Sequence, residues 1–172
     1  MYPESIITKN DQDIVTARVN SQDDYKKSMT KDRGKYVGFM AERKFMGWCQ
    51  KNFLKCSQTD THNDDFIVNG KTVDVKAKLR TVKTTGRHEA SVWEGSISHQ
   101  KPDYFVFVSI VKNHLVQLIG WLEYEQFMSK ARVMTKGADQ GNMKIVENCR
   151  NVYYEQLQPM PLFLKVPPQD QT

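Results

Sequence analysis

Two aspartates and a lysine offer the clearest chemistry in this sequence. The segment DDFIVNGKTVDVKAKL, residues 64–79, sets two β-prone runs on either side of Asn69-Gly70. That dipeptide marks a two-residue hairpin, because both positions of the turn need positive φ. With Asn69 and Gly70 as the central turn residues, Val68 faces Lys71 and Asp65 faces Asp74, their Cβ atoms ~5 Å apart. Side chains alternate along a strand. Asp65, Ile67, Thr72, Asp74, Lys76 and Lys78 therefore share one face, and Phe66, Val68, Val73, Val75 and Ala77 the other. Facing carboxylates repel. A divalent cation between them turns repulsion into binding, and two carboxylates with phosphate oxygens and waters suit Mg2+, for which Mn2+ would substitute. Lys76 is within reach of the same site, where it could pair with a phosphate or orient and help deprotonate an attacking water. The plainer alternative is a solvated strand face with a cross-strand salt bridge.

Other elements must position this hairpin. From about Asp32, a possible N-cap, to Cys56, Val37, Met40, Ala41, Phe45, Trp48 and Cys49 recur at intervals of three and four, which predicts a helix with one apolar stripe. SQTDTHND after Cys56 should stop it. Gly34, Gly38 and Gly47 weaken the helix, so it should depend on packing against a sheet. TVKTTGRHEASVWEGSISHQK reads as a polar connection. YFVFVSIV (104–111) is apolar enough for a strand covered on both faces, and Lys112-Asn113-His114 would turn it into LVQLIGW (115–121). EYEQFMSKA (123–131) reads as a short helix, 132–149 as a loop, NVYYEQL (151–157) as a last strand, and 161–172 as a tail. Residues 1–30 fit either a short helix or a loosely attached arm. The expectation is a single domain over 1–172 with its core at 32–160. Its class is α/β or α+β: a mixed sheet flanked by helices.

Composition narrows the function classes. The chain has 172 residues, 39% of them apolar and 26% charged, with a formal charge of +5. This suffices for a core and argues against disorder. A basic excess suits an anionic partner, nucleic acid first, or simply a soluble basic protein. Three cysteines, Cys49, Cys56 and Cys149, lack CxxC spacing, so neither a zinc site nor an iron–sulfur cluster is supported. They read as reduced thiols of an intracellular, cytoplasmic protein. No apolar run approaches 18 residues, so no membrane span is expected. The four histidines show no ligand spacing.

The hairpin resembles the active site of the PD-(D/E)XK nuclease superfamily, in which an aspartate opens one strand and an acid-X-lysine triplet lies on the next. Here these are Asp65 and Asp74-Val75-Lys76. Asp64 stands where the family has proline, and Asp74 where glutamate is commoner. The resemblance covers roughly residues 32–160 and implies a restriction-endonuclease-like core in the order α-β-β-β-α-β. It also implies a helix-borne acid. Glu42 matches it, and by helical spacing shares a face with Gly38, Phe39, Phe45 and Cys49. Asp65, Asp74, Glu42 and the Val75 carbonyl would then hold Mg2+, with Lys76 aligning water and phosphate. Gln100 reads, by the same analogy, as a polar neighbour of the site. Pro102-Asp103 is a literal Pro-Asp with no acid-X-lysine after it, and is read as the start of a strand.

Lys78, Arg80, Lys83 and Arg87 are expected either to contact DNA phosphates or to form a charged edge that discourages aggregation. Trp93 could stack on a base, or be a half-buried aromatic. The expected function is a metal-dependent deoxyribonuclease, cutting by structure or at a short site and acting as a homodimer, a style found in phages and mobile elements. The alternatives are a non-cutting nucleic-acid-binding module on the same fold and an RNA-cutting nuclease.

Overall fold

The computed structural model describes residues 2–21, 32–59, 64–140, 143–163 and 165. A short strand β1 (Glu4–Ile6) leads into helix α1 (Lys9–Ser21). Thr8 and Asp11 close the start of α1 reciprocally: the Asp11 N–H donates to Thr8 Oγ1 (3.2 Å) and the Thr8 N–H to Asp11 Oδ2 (2.9 Å), so two of the helix's unpartnered groups are satisfied. Helix α2 (Asp32–Lys51) buries Val37, Met40, Ala41, Phe45 and Cys49, the stripe its spacing predicts. It ends five residues before the expected Cys56. Leu54 N–H donates to the Cys49 carbonyl (3.0 Å) and Phe53 N–H to that of Gln50 (3.1 Å), a Schellman closure with Phe53 left-handed at φ 58°. The position usually taken by glycine is held here by an aromatic, which hides the signal from the sequence.

Strands β2 (Cys56–Gln58), β3 (Phe66–Val68) and β4 (Lys71–Arg80) follow as an antiparallel meander. The polar connection expected next contains β5 (Glu89–Trp93) and a single helical turn α3 (Glu94–Ile97). Strands β6 (Tyr104–Val111) and β7 (Leu115–Glu123) lie where expected, as does helix α4 (Tyr124–Lys130). The stretch expected to be a loop holds β8 (Arg132–Met134), β9 (Asp139–Gln140) and β10 (Met143–Lys144); strands of two or three residues are too short to display an alternation. Strand β11 (Cys149–Tyr153) passes into a 3-10 turn at Tyr154–Gln156, and α5 (Met160–Phe163) follows.

Among the described residues one six-stranded sheet has the order β1-β7-β6-β4-β3-β2, parallel only between β4 and β6. A three-stranded sheet, β5-β11-β8, covers part of one face, and β9 and β10 pair with each other. The fold is thus mixed α+β, a mixed sheet flanked by helices. Alternation along β6 divides the core. Val106, Val108 and Ile110 pack with α1, α2 and the apolar side of β3 and β4; Phe105 and Phe107 pack with β5, β11, α3 and α4. All eight residues of β6 are buried, as its apolar run requires.

Both ends of the described chain join this core. Strand β1 pairs with β7, and Val15 of α1 is buried. Phe163, in the expected tail, is almost fully buried beside Met160, so this part of the tail is core. Gly120 explains how the chain gets there: a Cβ on it would meet the Gln158 carbonyl oxygen at 2.5 Å. Trp121 and Gln158 exchange backbone hydrogen bonds of 3.0 and 2.9 Å at that crossing. Cys49, Cys56 and Cys149 are free thiols. Among the described residues no helix is long and apolar enough to cross a membrane.

Candidate active site

The hairpin forms with the expected turn. Asn69 and Gly70 have φ of 50° and 83°, and Val68, Ile67 and Phe66 face Lys71, Thr72 and Val73. The ladder then departs from the simple register. Asp65 N–H donates to the Val73 carbonyl (3.0 Å), the residue that Phe66 already faces, so Asp65 does not sit opposite Asp74. Its Oδ2 instead accepts the Val75 N–H at 2.7 Å, the position a carbonyl of a longer β3 would occupy. The Asp64 carbonyl turns away and accepts Thr59 Oγ1. The N–H and C=O of a strand residue project to the same side, so the Val75 carbonyl shares the edge on which Asp65 lies.

The two faces of β4 separate as predicted. Val73 and Val75 are buried against α2, with Ala77 and Leu79 beside them. Asp74, Lys76, Lys78 and Arg80 take the opposite face, and it is not a solvated one: Asp74 is 3% exposed, and β5 lies across the C-terminal half. The ion pair at Asp74 is with its own strand, Lys76 Nζ to Asp74 Oδ2 at 2.7 Å. Its direction is outside hydrogen-bond geometry, so that buried oxygen accepts no hydrogen bond. Lys76 Nζ also donates to Gln100 Oε1 at 3.3 Å.

Glu42 is buried in α2 and reaches the same locus from the helix layer. Its Oε2 accepts Arg18 Nη1 at 2.8 Å and Gln58 Nε2 at 3.3 Å. Burial raises the Glu42 carboxyl above its ordinary range; Arg18 and Lys76 oppose the rise, and the charge of Asp74 adds to it. Asp65 keeps some exposed surface, yet enclosure lifts its carboxyl well above the usual range, followed in effect by the charges of Asp74 and Glu42. The Val75 N–H and Lys76 pull the other way. Three carboxylates from α2, the entry to β3, and β4 thus repel one another around one lysine.

Arg18 belongs to the segment read as helix or arm, and sequence reasoning gave it no role. Asp11, Val15, Arg18 and Val19 form one stripe of α1. Asp11 docks that stripe by accepting Arg43 Nε (2.8 Å) and Lys44 Nζ (2.6 Å) from α2, and Arg18 then spans Phe39, 3.9 Å from the ring centroid, to Glu42. An i, i+4, i+7 pattern over Asp11, Val15 and Arg18 was the available signal, diluted by polar neighbours.

The basic residues fall into two groups. Lys78 and Arg80 are half-buried and turn toward β5: Lys78 Nζ donates to Ser91 Oγ (2.8 Å), and Arg80 Nη2 to the Glu89 carbonyl (2.7 Å) and Tyr154 Oη (3.3 Å). Lys83 and Arg87 are exposed on the loop between β4 and β5. Lys83 lies 3.4 Å from Glu4, and Thr84 anchors the loop through two hydrogen bonds to Gln117 Oε1 (3.1 and 2.8 Å). Asp103 starts β6 as expected and is occupied elsewhere: its Oδ2 accepts the Thr72 N–H (2.8 Å) and hydroxyl (3.0 Å). Asp64 is closer to the centre, its carboxyl raised by burial and then by Asp74 and Asp103. His62 lies outside the described residues.

No family model matches this chain, and no curated protein matches it significantly.

Proposed function

We propose that this protein is a Mg2+-dependent nuclease of the PD-(D/E)XK type that hydrolyses DNA phosphodiester bonds. One observation carries the reading: Glu42, Asp65 and Asp74 lie near enough to act on one another's charge, and Asp74 Oδ2, paired with Lys76, is buried without a hydrogen bond. Three mutually repelling, enclosed carboxylates answered by Lys76 and Arg18 alone leave room for further positive charge. The order α2-β2-β3-β4-α3-β6, with β6 parallel to β4, supports the resemblance; β5 interrupts it and α3 is a single turn.

The donor set suits a hard divalent cation, since all the oxygens come from carboxylates and the Val75 carbonyl. Among the described residues no three acidic, histidine or cysteine side chains converge as they stand. Asp74 is engaged by Lys76 and Glu42 by Arg18, so enclosing a cation requires those carboxylates to turn. Bound there, Mg2+ would neutralise phosphate charge and acidify a bound water. The chain's own groups do the rest. Lys76 presents its ammonium to the phosphate from a partly dry face, where charge acts more strongly than in water. Gln100 Oε1 steadies Lys76 by accepting a hydrogen bond from its ammonium. Asp65, bonded to the Val75 N–H, is fixed relative to the strand that carries Asp74, and such positioning is itself a large part of phosphoryl-transfer catalysis.

The decisive experiment is cleavage of matched DNA and RNA oligonucleotides in Mg2+ and in excess EDTA, with wild type and with Asp74→Asn, Lys76→Ala and Asp65→Asn. Mg2+-dependent DNA cleavage lost in all three variants is expected. Activity in EDTA, or an active Asp74→Asn protein, would sink the assignment.

A further inference from the structure

We propose that the cleft between β4 and β5 binds one unpaired nucleotide of the strand being cut, its base against Trp93 and its phosphate at Lys78. The proposal rests on the nuclease reading for the words "being cut" and on geometry for the rest. Strands β4 and β5 leave opposite ends of the loop 81–88 and belong to different sheets, so side chains, not ladder bonds, bridge them. Arg80 reaches the Glu89 carbonyl, and two residues along each strand Lys78 reaches Ser91. The next two-residue step brings Trp93 opposite Lys76. Here no bridge forms, and both residues line a cavity of about 350 Å³ with Lys78, Ser91, Ser96 and Tyr154. The cleft therefore runs past Lys78 and Ser91 and reaches Lys76, and through it Asp74, at one end.

Its size and lining select the occupant. About 350 Å³ falls at the lower end of the ~300–1,000 Å³ that small-ligand sites occupy. The lining holds two ammonium groups and no carboxylate; Lys76 is paired with Asp74, so Lys78 carries the preference for an anion. The hydrogen-bond partners of Lys78 Nζ are neutral oxygens, Ser91 Oγ at 2.8 Å and the Glu89 carbonyl at 3.5 Å, which a phosphate oxygen outcompetes. Burial, and then Arg80, depress the Lys78 ammonium, a penalty that an anion relieves. Trp93 supplies the stacking surface that single-stranded nucleic acid uses. Unpaired nucleotides enter such pockets with the least loss of stacking.

The test is titration of the intact protein with thymidine 5′-monophosphate in EDTA, followed by heat and by tryptophan fluorescence. Thymidine and inorganic phosphate serve as separate arms. The monophosphate should bind more tightly than either part. Trp93→Ala and Lys78→Met should each weaken it about tenfold or more. Ser96→Phe, which fills the cleft without removing Trp93 or Lys78, should block it while circular dichroism stays unchanged; it decides the matter if Lys78→Met does not fold. Wild type that binds no monophosphate, or Ser96→Phe and Trp93→Ala that bind it as wild type does, overturns the proposal. A protein that cuts DNA without binding the monophosphate loses the cleft and keeps the nuclease. One that binds it and cuts nothing loses the nuclease and keeps the cleft.

Discussion

Replacing Arg18 by alanine strips the buried Glu42 of its only full-charge partner among the described hydrogen bonds. Arg18 makes two distinct contacts: a charged hydrogen bond of 2.8 Å to Glu42 and a guanidinium placed 3.9 Å over the Phe39 ring. A hydrogen bond to a charged group contributes about 1.5–3 kcal/mol. The side chains are 35% and 12% exposed, which places this one in the lower half, about 2 kcal/mol. The cation–π contact adds about 0.5–1 kcal/mol. Arg18→Ala should therefore destabilise the metal-free protein by about 2–3 kcal/mol in urea titration at pH 7. In a Glu42→Leu background both the buried charge and its acceptor oxygens are gone, and Arg18→Ala should lose only the Phe39 contact, about 0.5–1 kcal/mol. The coupling between the two sites is then about 1.5–2 kcal/mol. The sign with pH follows from burial. Folding raises Glu42 above its unfolded value, so its contribution favours the fold at low pH and is lost as pH rises through the folded value. Removing Arg18 raises it further. The penalty of Arg18→Ala should therefore be full where Glu42 is ionised and shrink as pH falls through its raised value, where the carboxyl is protonated with or without Arg18. Equal losses in the two backgrounds, or a penalty independent of pH, would refute the pairing of Arg18 with an ionised Glu42.

The other expectations test the elements that hold the site. Asp11 is buried, yet Lys44, the Thr8 N–H and hydroxyl, and Arg43 outweigh that burial and hold its carboxyl well below the usual range. Its stabilisation is present above the unfolded value and lost as pH falls, so Asp11→Asn should cost about 2 kcal/mol at pH 7 and much less in strong acid, by the same urea titration. Phe53 is 96% exposed in a left-handed conformation, so Phe53→Gly should raise stability by about 1 kcal/mol; a lower melting temperature would show that the aromatic ring matters there. Phe163 is 2% exposed, with ring centroids 5.5 Å from Trp121 and 6.0 Å from Phe45, and Phe163→Ala should cost about 3–5 kcal/mol. A change below about 1 kcal/mol would mean that this segment is not part of the core.

Some of this protein was written locally and could be read without the fold. The Asn69-Gly70 turn, the two-faced alternation of β4 and the unbroken apolar run of β6 each depend on neighbours a few residues away, where sequence spacing and physical spacing agree. So does the α2 stripe, which turns Glu42 inward. What escaped was set by contacts distant in sequence. Strand β5 became legible only as the partner of β11, and its Lys78–Ser91 bridge decides that the basic face of β4 points into a cleft. Gly120 admits Gln158 from 38 residues downstream, which makes core of a segment whose composition suggests a tail. The same applies at the centre of the site. Sequence spacing brought Asp65 to the neighbourhood of Asp74, but the exit of the chain toward Thr59 swung its carboxylate onto the Val75 N–H instead. Arg18, 24 residues before Glu42, could be paired with it only once Asp11 had docked α1 on α2. Local pattern determined which residues share a face; long-range packing, whose energy depends on partners the sequence does not name, determined what each face meets.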